Sequence, residues 1–206
     1  MSASPATPFK LPAIPRELRW SNQPLDWSIG RDGSLSIVAG ETTDWFIDPN
    51  GDYVSATAPA ALFIAPDDSF LLSARASVDF HSTFDAGVLQ VRTGDDQWSK
   101  FCFEFSPDGR PMIVSVVTRA MSDDCNSVVI EGHEVYLRVA ATPATIAFHF
   151  SLDGKLWHMV RYFALERKSE LQVGFSSQSP TGKRCAAVFS EINYVAGRLA
   201  DNRSGE

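Results

Sequence analysis

The sequence predicts an all-β fold, a sandwich of two antiparallel sheets. Three observations carry this. Apolar residues alternate with polar or small ones along most of the chain, the period of a half-buried strand. Turn dipeptides break the alternation at short intervals, and no stretch offers an amphipathic helix of three turns. The chain has 206 residues, within the range of one β domain, and its 14 Phe, 5 Trp and 4 Tyr favour strands.

The elements follow in order. Residues 1–16 are rich in proline (Pro5, Pro8, Pro12, Pro15), which predicts an extended arm, mobile or draped. Trp27 to Ile29 and Leu35 to Val38 flank Asp32-Gly33, a hairpin signal. Asp44 to Ile47 is a short strand, and Tyr53 to Thr57 and Ala61 to Ile64 are weaker ones. Phe70 to Phe80 is a long strand. Ala86 to Arg92 and Gln97 to Phe105 are joined by "TGDD". Pro111 to Thr118 follows the turn Pro107-Asp108-Gly109. Residues 120–133 read as the longest irregular connection, the kind of loop that often carries function. Val135 to Ala140, Thr145 to Leu152 and Leu156 to Phe163 continue the meander, the last two meeting at Asp153-Gly154. Leu171 to Ser177 and Cys185 to Tyr194 close it. The expected organisation is an arm (1–16), one domain (17–197) and a frayed tail (198–206).

Composition bounds the partners. A net charge of −7 argues against nucleic acid, whose phosphates need clustered Lys and Arg. No membrane association is expected, because no apolar run approaches the roughly 18 residues of a spanning helix. The N-terminus lacks the basic and apolar regions of a secretory signal, and the three cysteines (Cys102, Cys125, Cys185) are sparse and unpaired by spacing. Both point to a cytoplasmic protein with reduced thiols. No Cys or His pair has ligand spacing, so no metal and no cofactor is expected. "DPNGD" (Asp48 to Asp52) offers oxygen ligands but lacks the calcium-loop pattern, and a plain turn explains it.

The strand "WSKFCFEF" (Trp98 to Phe105) holds the most information. Alternation puts Phe101, Phe103 and Phe105 on one face, and Trp98, Lys100, Cys102 and Glu104 on the other. A hairpin with Ala86 to Arg92 would bring Gln90 and Arg92 beside Lys100 and Glu104. Four polar side chains beside an aromatic ring suit a sugar, since hydroxyls take charge-assisted hydrogen bonds and a ring covers the apolar sugar face. The plainer alternative is a solvated sheet face with cross-strand ion pairs.

Several segments together carry a resemblance: "TTDWF" (Thr42 to Phe46), "DAGVLQVRTGDDQWSKFCFEF" (Asp85 to Phe105), "SVVTRAMSD" (Ser115 to Asp123), "VYLRV" (Val135 to Val139), "FHFSLDGKLWHMVRYF" (Phe148 to Phe163) and "VGFSSQSPTGKRCAAVFSEI" (Val173 to Ile192). In this order they resemble the uncharacterised family that includes the yeast "regulation of enolase" protein, from about Trp20 to Val195. The resemblance implies a concanavalin A-like jelly roll whose concave face commonly holds carbohydrate. It implies site positions at Arg92, Lys100 and Glu104, with Thr118, Arg119 and Asp123. Asp124-Cys125 stands where that family commonly has an aromatic, and Ser177 where it has a cysteine.

Three readings follow. The first is a non-catalytic protein that binds a carbohydrate or small polar metabolite at Gln90, Arg92, Lys100, Glu104 and Thr118, with Asp44 and Trp45 at the edge. The second is a glycoside hydrolase or other sugar-processing enzyme with Glu104 as acid/base. It needs a second carboxylate nearby, from Asp44, Asp85 or Asp123, and no cation capping Glu104. The third is a protein-interaction module with a metabolic enzyme as partner, which an exposed apolar patch away from the sugar face would favour. The four histidines (His81, His133, His149, His158) read as sheet-surface residues, and no nucleophile elbow is present.

Overall fold

A computed structural model describes residues 7–206. It has two antiparallel seven-stranded sheets and no helix among the described residues, hence none long and apolar enough to cross a membrane. The first sheet runs in the order β1 (Arg19–Trp20), β6 (Ala60–Ile64), β15 (Gln172–Gln178), β8 (Ala86–Arg92), β9 (Gln97–Phe105), β10 (Pro111–Arg119) and β11 (Met121–Val129). The second runs β14 (His158–Phe163), β13 (Ile146–Ser151), β12 (Glu134–Ala141), β7 (Phe70–Asp79), β16 (Arg184–Ala196), β3 (Leu35–Gly40) and β2 (Asp26–Ile29). A separate hairpin pairs β4 (Trp45–Ile47) with β5 (Val54–Ala56).

The core lies between the sheets and is built by alternation. Leu89 and Val91 of β8 and Phe101 and Phe103 of β9 meet Leu72, Leu137, Val139 and Phe148 from the second sheet. Phe101 stacks on Phe148 with centroids 4.8 Å apart, and Phe175 tilts against Phe189 at 5.0 Å. Side chains of this size each contribute about 1.5–3 kcal/mol by leaving water. Gly174 is demanded by close packing: a Cβ there would lie 2.0 Å from the Ala61 carbonyl oxygen.

Two sequence expectations are corrected, the loop and the tail, while the arm takes the draped alternative. Residues 120–133 are mostly the strand β11, not an irregular connection, and the turn into it places Ala120 at φ 64. This is an edge strand whose side chains are mostly exposed, so it shows no apolar alternation to read. The described part of the arm, residues 7–16, belongs to the body. Leu11 and Ile14 are buried, Phe9 pairs with Leu18 through two backbone hydrogen bonds, and Phe9 packs against Trp20 and Trp27. The expected frayed tail folds back on the second sheet, where Arg138 donates to the Gly205 carbonyl and His149 Nε2 lies 2.7 Å from the Asn202 carbonyl oxygen.

Candidate functional site

The outward face of the first sheet is read from its register. Lys100 stands opposite Gln90 on β8 and Val116 on β10, and Val116 stands opposite Asp124 on β11. Glu104 stands opposite Ala86 and Met112, and beyond Ala86 comes Gln178 of β15. Between these polar rows runs an apolar one, Val88, Cys102 and Val114, buried on the outward side of the sheet. The β4–β5 hairpin lies over the row's other end. Trp45 packs edge-on against Trp98 with centroids 5.8 Å apart and donates from Nε1 to the Ala58 carbonyl at 2.8 Å. The hairpin is tied to β11 by the Ile47 amide, which donates to Ser122 Oγ at 2.9 Å.

This arrangement leaves a cleft of about 330 Å³. Its polar lining is Asp44, Lys100, Glu104, Asp124 and Gln178. Phe46, Tyr53, Phe84 and Pro180 border the opening, with Tyr53 and Phe84 exposed. Phe84 has φ 71, a left-handed conformation a bulky side chain rarely takes. Its amide donates to the Phe105 carbonyl at 2.7 Å, and its carbonyl accepts from Gln178 Nε2 at 3.1 Å. Such a residue costs about 1–3 kcal/mol and persists where its surroundings hold it, most often at ligand sites.

Charge is unevenly satisfied. Buried Lys100 donates to Asp44 Oδ1 at 2.7 Å and to Gln178 Oε1 at 2.9 Å. Burial acts most strongly, against the Lys100 charge, but Asp44, Cys102 and Glu104 together outweigh it and the ammonium pKa is raised. Glu104 is only 8% exposed and takes part in no hydrogen bond among the described residues. Burial pushes its carboxyl up to about 8; Lys100 pulls it down in part, while Asp124 and Asp44 push it further up. Asp124, at the open side, is also raised, by burial first, with Lys100 opposing. The cleft therefore holds an ammonium already committed to one carboxylate, and two further acids that form no ion pair among the described residues.

The residues singled out in the sequence do not all meet here. Asp44, Lys100 and Glu104 do. Neither Lys100 nor Arg92 pairs with Glu104: Lys100 pairs with Asp44 and Arg92 with Asp95. Trp45 is buried under its own hairpin and presents no free ring face to the cleft. Gln90 is wholly buried beside Lys100, with neither amide atom hydrogen-bonded. Arg92 turns to the far side of Trp45, its guanidinium 5.4 Å from that ring and paired with Asp95. Thr118 is buried and lies 2.9 Å from Ser122 Oγ. Arg119 donates outward to the Ala164 carbonyl at 2.9 Å. Asp123 points to the other side of β11 and pairs with Arg161 at 2.8 Å. Asp85 is buried as a turn acceptor for His81, Ser82 and Ser179. Asp48 to Asp52 form the β4–β5 turn. His149 is buried, not on the surface, and burial lowers it to about 4. The sequence reading missed Asp124 and Gln178. Asp124 follows from alternation once β11 is known to be a strand, and Gln178 from carrying the β15 alternation one residue further.

Two sheets with a cleft on one outward face define the class: an all-β jelly-roll sandwich. The chain belongs to the family described as "Protein of unknown function (DUF1349)", whose model matches residues 20–196. No curated protein matches it in sequence. Among solved structures, it is similar to a functionally unknown protein from Saccharomyces cerevisiae (23% identity, 88% of this chain and 97% of that one, TM-score 0.79). It is similar to the GH43 protein BlXynB from Bacillus licheniformis (16% identity, TM-score 0.70), covering 87% of this chain but 37% of that one. It is also similar to the alginate lyase from Klebsiella pneumoniae (12% identity, 83% of this chain and 84% of that one, TM-score 0.55). At these identities the likeness is one of fold.

Proposed function

We propose that this protein binds a carbohydrate or polyol, without turning it over, in the cleft over Lys100, Glu104 and Asp124. One observation carries this: Glu104 is buried at the cleft without a hydrogen-bond partner among the described residues, under an opening bordered by Phe46, Tyr53 and Phe84. A protonated carboxyl both donates and accepts, which matches a sugar hydroxyl. Aromatic rings at the rim suit the apolar face of a pyranose. Proteins titled as a GH43 protein and an alginate lyase share the fold, in keeping with a sugar ligand. The free cysteines Cys102, Cys125 and Cys185 support a reducing, cytoplasmic setting.

The test is a panel of mono- and oligosaccharides followed by thermal shift and calorimetry, on wild type and Glu104→Gln. Saturable binding that weakens about tenfold or more in the variant supports the reading, as loss of one charge-assisted or buried hydrogen bond should. A panel without binding, or binding indifferent to position 104, contradicts it.

A second reading has its own observation. Glu104 keeps its proton to about pH 8, and Asp44 and Asp124 line the same cleft, as an acid/base pair would require. Release of reducing ends by wild type but not by Glu104→Gln would establish a glycoside hydrolase. The interaction-module reading draws on Leu152 and Leu156, 68% and 64% exposed and away from the cleft.

A further inference from the structure

The cleft's charges point to the kind of sugar. Its one ammonium, Lys100, is spent on Asp44 and Gln178. The groups facing Glu104 are Lys100 and the Cys102 thiol on its own strand, Asp124 from β11, and Asp44 from the segment that leads into β4. With every carboxylate charged, three negative groups meet one positive group. An acidic sugar brings a further negative group to a cleft whose carboxyls already outnumber its one described cation, and that cation is already paired. A neutral sugar leaves the two acids uncompensated. A cation relieves both, and the rim is suited to it, since the aromatic residues Phe46, Tyr53 and Phe84 line the cleft.

The acids alone would not make a site. The second observation is that Glu104, more than nine-tenths buried, lines the cleft with no hydrogen-bond partner among the described residues. A buried carboxyl left in this way is a place prepared for a donor.

We propose that the ligand is an amino sugar, whose protonated amine sits against Glu104, with Asp124 and the aromatic rim completing the cation site. This rests on the carbohydrate reading. Binding moves a proton. Burial holds Glu104 neutral near neutral pH, and an ammonium favours the carboxylate, so the Glu104 proton leaves to solvent as the amine enters.

The experiment is calorimetry at about pH 6.5 and matched ionic strength. The probes are glucosamine, galactosamine, glucose, galactose, N-acetylglucosamine and glucuronate. Each is measured in two buffers of different ionisation heat. The expected result is amino-sugar binding about tenfold or more tighter than neutral sugars, no glucuronate binding, and release of close to one proton per amino sugar bound. Glu104→Gln should abolish the proton release and weaken amino-sugar binding to the level of the neutral sugars. Neutral or acidic sugars binding as tightly as amino sugars would overturn the amine assignment and leave the carbohydrate reading standing. Amino-sugar binding unchanged in Glu104→Gln would remove Glu104 from the site. If no sugar of any charge binds, both readings fall.

Discussion

Glu104 and Lys100 lie on one strand face four residues apart, yet their roles differ. Lys100 is a paired buried charge; Glu104 is an unpaired acid kept neutral. The fold holds the Glu104 proton to about pH 8, while the unfolded chain loses it near the ordinary value of 4.5. Between these values the native state binds more protons, so this residue makes stability fall as pH rises. The loss is up to about 1.4 kcal/mol per pH unit. Chemical denaturation at a series of pH values should therefore show Glu104→Gln gaining on wild type from pH 5 to 8, with no further gain above. Asp44→Ala should behave in the opposite sense. It leaves the Lys100 ammonium buried without its carboxylate, which costs about 3–5 kcal/mol. A melt of Asp44→Ala within a degree of wild type would show that the pair contributes little. The division of faces on Trp98 to Phe105 was legible because the period of two is strict there. The partner of Lys100 was not, because Asp44 comes from a segment 56 residues away that crosses over the sheet.

At the scale of elements, the β4–β5 hairpin and β11 make the cleft. The hairpin buries Trp45 on Trp98, and Ser122 of β11 accepts the Ile47 amide proton and touches Thr118. Trp45→Ala should cost about 3–5 kcal/mol, as large-to-small core changes do, and should loosen Asp44 from Lys100. Ser122→Ala should cost about 1–2 kcal/mol through the unpaired Ile47 amide and weaken ligand binding without a cavity being created. Denaturant midpoints for the two variants check the order. The hairpin strands were readable from "TDWF" and the turn at Asn50-Gly51. Strand β11 was not, because an edge strand rich in Asp, Ser and Asn looks like a loop; polar side chains at an edge discourage pairing with other chains. Asp124 was hidden with it.

Across the whole molecule, the order of strands could be read in outline, since turns at Asp32-Gly33, Asp108-Gly109 and Asp153-Gly154 all join paired strands. Which strands pair at a distance depends on contacts that no local pattern carries, such as β7 with β16. The C-terminal segment shows this too. Residues 201–206 cover Arg138 and His149, and Arg138 lies 4.2 Å over the Trp157 ring. Burial holds His149 neutral down to about pH 4, whereas the unfolded side chain takes a proton near 6.5. The unfolded state thus binds more protons between those values, and stability from this source falls as pH drops through them. Removing residues 200–206 should flatten that acid dependence and cost about 1–3 kcal/mol through the exposed Arg138 guanidinium and its lost acceptor. Thermal melts from pH 4 to 7 on the 206-residue chain and the shortened one compare the two slopes directly.

In the proposed site Glu104 is the group that meets a sugar. The most direct measurement follows the side-chain carboxyl carbon of Glu104 by NMR in protein labelled at glutamate, during titration with the sugar panel. The predicted result is a Glu104 resonance that titrates near pH 8 without ligand and moves saturably when a sugar is added, while exposed Glu170 stays still. A Glu104 signal that ignores every sugar, or that titrates as an ordinary solvated carboxylate, would contradict it.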